Sequence, residues 1–225
     1  MKTIAIIPSG GTGKRTGFNT PKQYLKINNK EIIAYTLSVF QDCPKIDEIY
    51  IAAQKEYFDS LFEIKQKFNF TKVTKIIEGG NERQDSVYNA LKSIPPYFSD
   101  LLVAVHDAAR PLLPPEVLIN AVNDAQKLGN AVVAVKARDT LIKLSENSFD
   151  YVNRNEIYYI QTPQIFLYGD LMKAFNKAYA ENFYGTDESM LVNRLGININ
   201  LTLGSSVNFK ITGAEDLDLF DKLTR

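Results

Sequence analysis

Tryptophan is absent from the sequence, and cysteine and histidine occur once each. A lone cysteine, Cys43, excludes an intrachain disulfide and any cysteine-built zinc site. A lone histidine, His106, excludes two-histidine metal centres and reactions that use a histidine pair. Net charge is missing too, because 26 Lys and Arg balance 26 Asp and Glu. That balance speaks against nucleic acid or an anionic membrane surface as the main partner. No apolar run approaches the roughly 18 residues of a membrane span. The opening run, 4–7, is too short for the core of a signal peptide. Internal repeats, low-complexity tracts and linkers are also lacking. The expectation is a soluble, cytoplasmic protein folded as one domain over residues 1–225.

What is present suits a single large core. Hydrophobic residues make up 45% and charged residues 23%, ordinary globular usage. A chain of this length buries about 70–75% of its unfolded surface. Apolar runs suited to buried strands fall at 4–7, 49–53, 73–77, 101–105 and 131–135. Between them, apolar residues recur at helical spacing: Ile32 to Phe40, Tyr57 to Phe68, Val87 to Ile94 and Val117 to Leu128. Pro114-Pro115 suits the start of the last of these helices, and Gly129 its end. This alternation predicts an α/β fold in three layers, a mostly parallel twisted sheet covered on both faces. The pattern falters after Val135. Two short β-like pieces, 141–144 and 151–152, flank the polar turn Glu146-Asn147-Ser148, which predicts a protruding β-arm at about 139–160. Helix at 169–182, strand at 197–203 and a closing helix at 214–223 complete the reading.

In open parallel sheets, ligands bind beyond the carboxyl ends of the strands, so the segments following each strand hold the candidate site. After the first comes Ser9-Gly10-Gly11-Thr12-Gly13-Lys14-Arg15, whose glycines let backbone N–H groups approach an anion. A P-loop would need glycine where Pro8 stands and Ser or Thr where Arg15 stands. The dinucleotide fingerprint fails at Thr16. The charge pattern says more: Lys2, Lys14, Arg15, Lys22, Lys26 and Lys30 are the only charged residues before Glu31, which predicts a strongly anionic ligand. After the third strand, Gly79-Gly80-Asn81-Glu82-Arg83 leads towards Ser86; taken alone it reads as a strand-to-helix turn with ordinary capping, or it could set backbone groups against a base or phosphate. After the fourth comes His106-Asp107-Ala108-Ala109-Arg110-Pro111. Asp107 there could hold Mg²⁺ or serve only as a turn aspartate. His106 invites a triad reading, but no G-x-S-x-G elbow exists, and it reads as a satisfied structural histidine. Arg138 reads as a surface ion-pair former, Arg154 could be one too, and Lys210 by itself reads as an edge-strand lysine.

Taken in order, these segments resemble the 2-C-methyl-D-erythritol 4-phosphate cytidylyltransferase family. The residues that carry the resemblance are Gly11-x-Gly13-x-Arg15 with Pro21-Lys22-Gln23-Tyr24-Leu25, and Gly79-Gly80-x-x-Arg83-x-x-Ser86-Val87. Next come Val105 to Pro111, Arg138-Asp139-Thr140 and Asn153-Arg154-Asn155. Gln161-Thr162-Pro163-Gln164-x-Phe166, Thr186-Asp187, and Lys210-Ile211-Thr212 with Glu215-Asp216-Leu217 complete the set. The ribitol-5-phosphate cytidylyltransferases share much of it and stand as the alternative; Ala108-Ala109 favours the first family, whereas Gly10-Gly11 is closer to the ribitol branch. The resemblance implies a Rossmann-like nucleotidyltransferase fold, transfer of CMP from CTP to a sugar-alcohol phosphate in isoprenoid biosynthesis, a divalent cation such as Mg²⁺, and a homodimer clasped by the arm. It implies Arg15 and Lys22 as catalytic residues. Thr140, Arg154, Thr162, Lys210 and Arg110 would hold the sugar phosphate. Ser9, Gly10, Gly11, Thr12, Gly13, Gly80, Asn81, Arg83, Ser86, Asp107 and Ala108 would bind the nucleotide, with Asp107 also at the metal.

Overall fold

The computed structural model describes residues 1–11, 20–95, 100–145 and 148–225. Thr12, Gly13 and Arg15, and the arm-turn residues Glu146 and Asn147, lie outside them. The elements run β1 (Lys2–Pro8), β2 (Lys26–Ile27), β3 (Lys30–Glu31), α1 (Ile32–Asp42), β4 (Glu48–Ala53), α2 (Phe58–Lys67) and β5 (Val73–Glu78). They continue with α3 (Arg83–Lys92), β6 (Leu101–Val105), α4 (Pro115–Leu128), β7 (Asn130–Lys136), β8 (Leu141–Ser145) and β9 (Ser148–Val152). The chain closes with β10 (Tyr158–Leu167), α5 (Tyr168–Ala180), α6 (Glu188–Asn193), β11 (Leu201–Leu203) and α7 (Ala214–Thr224).

Seven strands form one sheet in the order β11-β7-β10-β6-β1-β4-β5. β1 pairs in parallel with both β4 and β6, β4 with β5, and β7 with β11. The inner strands are buried on both faces, which is why their sequences read as unbroken apolar runs. One core, around Ile7, Phe40, Ile51 and Leu118, lies on one side of the sheet. A second, around Ile6, Val87, Val103 and Phe175, lies on the other, because alternate residues of a strand face opposite ways. α4 begins with Pro115 in its first turn and ends at Gly129, whose φ of 84° is the left-handed conformation that suits glycine.

Three elements differ from the sequence reading. β10 is an antiparallel strand between β6 and β7, where no strand was expected. Pro163 lies inside it at a register shift, between the ladder pairs of Ile160 and Gln164, the position in a sheet where proline is tolerated. α6 was also unexpected, and the strand expected at 197–203 is confined to Leu201–Leu203. The antiparallel sense of β10 matters for the site. Its first residues pair with the carboxyl end of β7, and Gln164 pairs with Val105, the last residue of β6, so Thr162 and Gln164 stand at the carboxyl ends of the parallel strands. The arm is as expected, β8 pairing with β9 in a two-stranded hairpin whose side chains are mostly exposed.

Candidate active site

The first wall is made of glycine turns packed on one serine. Gly10, after β1, and Gly79-Gly80, after β5, both abut Ser86 on α3. A Cβ on Gly79 would lie 2.9 Å from Ser86 Oγ, and one on Gly10 3.1 Å. A Cβ on Gly80 would lie 2.2 Å from Asp85 Cβ, so only glycine lets the turn close there. Ser86 Oγ accepts from the Gly80 N–H at 3.1 Å and donates to the Glu82 carbonyl at 3.1 Å. Its hydroxyl therefore builds the turn, and the turn's backbone faces the ligand region. Asn81, exposed, and Arg83 line a cavity of about 640 Å³ beside α3.

Lys22 is held near this wall by its neighbours. It opens a short helical turn, Lys22–Tyr24. Gln23 Nε2 donates to the carbonyls of Ser9 and Gly11 at 2.8 and 3.0 Å, and Ser9 Oγ donates to Tyr24 Oη at 3.0 Å. Tyr24 stacks on Tyr57 with ring centroids 4.2 Å apart. Two buried side chains thus latch the Lys22 turn to the glycine loop.

The second wall is an ion cluster around Asp107, which follows β6. Arg83 Nε approaches one carboxylate oxygen at 2.9 Å, and Lys210 Nζ the other at 2.9 Å. Arg110 Nε stands 3.5 Å from that second oxygen and donates through Nη1 to the Asn208 carbonyl at 2.7 Å. Glu188 on α6 takes the rest of Arg83 in a bidentate pair, 2.7 Å from Nη1 and 3.0 Å from Nη2. Burial alone would raise the Asp107 pKa, but Arg83, Lys210 and Arg110 together hold it well below the usual carboxylate range. With Lys210, Arg110 and Arg83 against Asp107 and Glu188, the cluster keeps one excess positive charge, and Lys210 is its most exposed member.

His106 is the hinge pin of this loop. The Asp107 N–H donates to Thr162 Oγ1 at 3.1 Å, so the threonine proton points to His106 Nδ1, 3.0 Å away. The proton on Nε2 then serves the Arg110 carbonyl at 3.1 Å. The ring is fully buried, 5.0 Å from Phe40, and burial pushes its pKa down from 6.5 to about 4. Between those values the unfolded chain binds the proton and the folded chain does not, so stability falls as pH drops from 6.5 towards 4. The loss between pH 7 and 5 should be about 2 kcal/mol, read as a lower urea midpoint. With a single histidine in the chain, H106Q should remove most of that slope. An equal slope in the variant would assign it elsewhere.

Several expected contacts take a different form. Arg83 is held by Glu188 and Asp107 through all three of its nitrogens, which uses three of its five N–H donors. Thr162 is buried, and its hydroxyl lies between the Asp107 N–H and His106 Nδ1, where it shapes the loop. Lys210 is not on an edge strand; its segment is pinned by the Ile211 N–H on the Ala109 carbonyl at 2.9 Å. Ala108 is buried, its carbonyl accepting from Thr36 Oγ1 at 2.9 Å. Thr140 and Arg154 lie exposed at the root of the arm, Arg154 donating to the Arg138 carbonyl at 3.0 Å. Among the described residues, no hydrogen bond or ion pair ties either to the Asp107 cluster. Gln23, Gln164 and Glu188 went unread as site residues. The two glutamines stood inside motifs already singled out, and Glu188 directly follows Thr186-Asp187.

The Asp107 site does not fit a resident metal. Both carboxylate oxygens already face cations, and no group of three or more His, Cys, Asp or Glu side chains converges among the described residues. A divalent ion there would oppose three positive charges.

Sequence and structure comparisons relate the whole chain to one family. Residues 3–224 match the family model described as 2-C-methyl-D-erythritol 4-phosphate cytidylyltransferase. The enzyme of that name from Clostridium perfringens (strain SM101 / Type A) is 40% identical, covering 100% of this chain and 99% of the relative. That from Geotalea uraniireducens is 39% identical, covering 96% and 94%. The crystal structure of the Francisella tularensis enzyme of that name superposes with a TM-score of 0.83 at 34% identity, covering 99% of both chains. A 4-diphosphocytidyl-2C-methyl-D-erythritol synthase from Anaerococcus prevotii gives 0.87 at 26%, covering 100% and 96%. Matched by the family model over nearly its whole length and by full-length relatives in sequence and in structure, the chain belongs to the 2-C-methyl-D-erythritol 4-phosphate cytidylyltransferase family.

Proposed function

We propose that the protein transfers CMP from CTP to 2-C-methyl-D-erythritol 4-phosphate. A phosphate oxygen of the sugar phosphate attacks the α-phosphorus of CTP. The bond from that phosphorus to the bridging oxygen breaks, and the electron pair leaves with pyrophosphate. The observation that carries this reading is the net positive cluster of Arg83, Arg110 and Lys210 around Asp107. The attacking phosphate is already ionised at neutral pH, so the reaction needs no general base. The one histidine is neutral, buried and fully committed, which accords with that. What the chemistry needs is two polyanions held together and growing charge on the α-phosphate stabilised by preorganised donors.

In this reading the Gly10 and Gly80 turns cradle the nucleotide, and Lys22, with Arg15 from outside the described residues, stabilises the charge that develops. Lys210 and Arg110 receive the phosphate of the second substrate, with Thr140 and Arg154 serving the same substrate from the arm. Magnesium, when bound, is carried by the CTP phosphates and neutralises part of their charge.

The arm supports a dimer. Ile142, Leu144, Phe149 and Tyr151 are exposed on it, Leu144 and Tyr151 at 74% each, and Tyr158, Tyr159 and Ile160 continue the patch. A lone two-stranded hairpin is only marginally stable in water, and one self-complementary patch suffices for a two-fold pair. Among the described residues no helix is long and apolar enough to cross a membrane, and a CTP-consuming reaction belongs in the cytoplasm.

A pyrophosphate-release assay tests the reading. CTP with 2-C-methyl-D-erythritol 4-phosphate and Mg²⁺ should turn over fastest, at least about tenfold above ribitol 5-phosphate or above UTP and ATP in place of CTP. Faster turnover with ribitol 5-phosphate would reassign the second substrate.

A further inference from the structure

Thr186-Asp187 belongs to the motif set, yet no role attaches to it or to the residue that follows. Asp187 caps α6, its Oδ1 accepting from the Met190 N–H and the Ser189 hydroxyl, both at 2.9 Å. Two glutamines from other elements hold the same segment. Gln164 on β10 donates to Asp187 Oδ2 at 3.0 Å and accepts from the Ser189 N–H at 2.8 Å. Gln84 on α3 donates to the Phe183 carbonyl at 3.1 Å and accepts from the Gly185 N–H at 2.9 Å. The backbone on both sides of Glu188 is therefore fixed to the central sheet and to α3. From it the Glu188 carboxylate, 2% exposed, grips both terminal nitrogens of Arg83. The remaining nitrogen, Nε, meets Asp107, whose other oxygen meets Lys210.

We infer that Glu188 is a positioning residue for the transfer: it anchors Arg83, which sets the Asp107 carboxylate, which in turn holds the Lys210 ammonium at the sugar-phosphate site. The geometry leaves Arg83 one orientation. A bidentate pair fixes the plane of the guanidinium, and with the plane fixed, Nε can point only at the near oxygen of Asp107. Glu188 also sets the charge. Without it the cluster would go from one excess positive charge to two. Arg83 would compete harder for Asp107, drawing the carboxylate away from Lys210. A shift of about 1 Å in a group that orients substrate can lower a rate by roughly 10²-fold.

The inference rests on Lys210 as the sugar-phosphate contact, and the test separates the two. Steady-state kinetics would be measured for wild type, E188Q, E188D and D107N, and for the E188Q/D107N pair, varying each substrate in turn. E188Q should raise the KM for 2-C-methyl-D-erythritol 4-phosphate about tenfold or more and lower kcat, with the KM for CTP within about twofold. E188D, which keeps the charge, should fall between E188Q and wild type. In the D107N background, E188Q should change kcat/KM by less than about twofold, because the path from Glu188 to Lys210 is already cut. A merely structural Glu188 would lower the unfolding midpoint, leave both KM values unmoved and multiply with D107N; that result would overturn the inference. If E188Q fails to fold, E188D decides alone: a sugar-phosphate KM equal to wild type refutes the role. A wild-type enzyme that does not use the sugar phosphate would overturn the functional reading and this inference together.

Discussion

Replacing Lys22 with alanine lowers kcat by roughly 10²–10³ and moves the KM for CTP by less than about threefold. The expectation follows from how the structure treats this residue. Gln23 and Tyr24 tie its turn to the Ser9–Gly11 backbone, so Lys22 Cα is fixed relative to the nucleotide loop whether or not ligand is present. Its charge also helps hold the Asp216 carboxyl low, after the hydrogen bonds from Thr212 and Gly213. Asp216 caps the helix that follows Lys210, its Oδ2 accepting from the Thr212 and Gly213 N–H groups at 2.6 and 3.1 Å. A preorganised cation acts mainly on charge that grows in the transition state, and interactions of that kind appear in kcat. The loss corresponds to about 3–4 kcal/mol of barrier. Steady-state pyrophosphate release checks it, with the unfolding midpoint as a control for folding. A raised KM for CTP with kcat intact would make Lys22 a binding residue only.

A mixed dimer should restore activity that neither parent has. Lys22→Ala and Arg154→Ala homodimers are each expected to be nearly inactive. If the arm of one subunit completes the site of the other, a heterodimer of the two chains contains one site lacking both groups and one site with both. About half the wild-type activity per heterodimer should then return. If Lys22 and Arg154 serve the same chain's site, every site lacks one group and activity stays at the level of the parents. The structural ground is the exposure of the arm. Arg154 sits at its root with its guanidinium on the Arg138 carbonyl, and the apolar residues beyond it lack cover within the protomer. Co-expression with two affinity tags, followed by tandem purification and assay, measures the outcome. A monomer by sedimentation at micromolar concentration would remove the premise.

Much of this architecture is legible in the chain because it is local. Unbroken apolar runs such as Leu101–Val105 occur where a strand is buried on both faces, and Pro115 and Gly129 bound α4 by their own backbone preferences. The glycines at 10, 79 and 80 announce a close approach of backbone. The order of motifs along the chain points to the family, since motifs are sequence by definition. β10 is different. It starts exposed, ends buried and carries Pro163, so neither alternation nor a continuous apolar run marks it; its partners on both sides make it a strand. The roles inside the site were decided the same way. Arg83 and Glu188 are 105 positions apart, and Asp107 and Thr162 are 55 apart. The sequence by itself determined which segments stand at the carboxyl ends of the strands and that they carry excess positive charge. Only the tertiary structure decided that Arg83 is consumed by two carboxylates, that Thr162 locks His106, and that Lys210 is the exposed cation. Propensity and turn geometry act between neighbours in the chain, whereas an ion pair or a buried hydrogen bond selects its partner by distance in space, which the packed sheet alone sets.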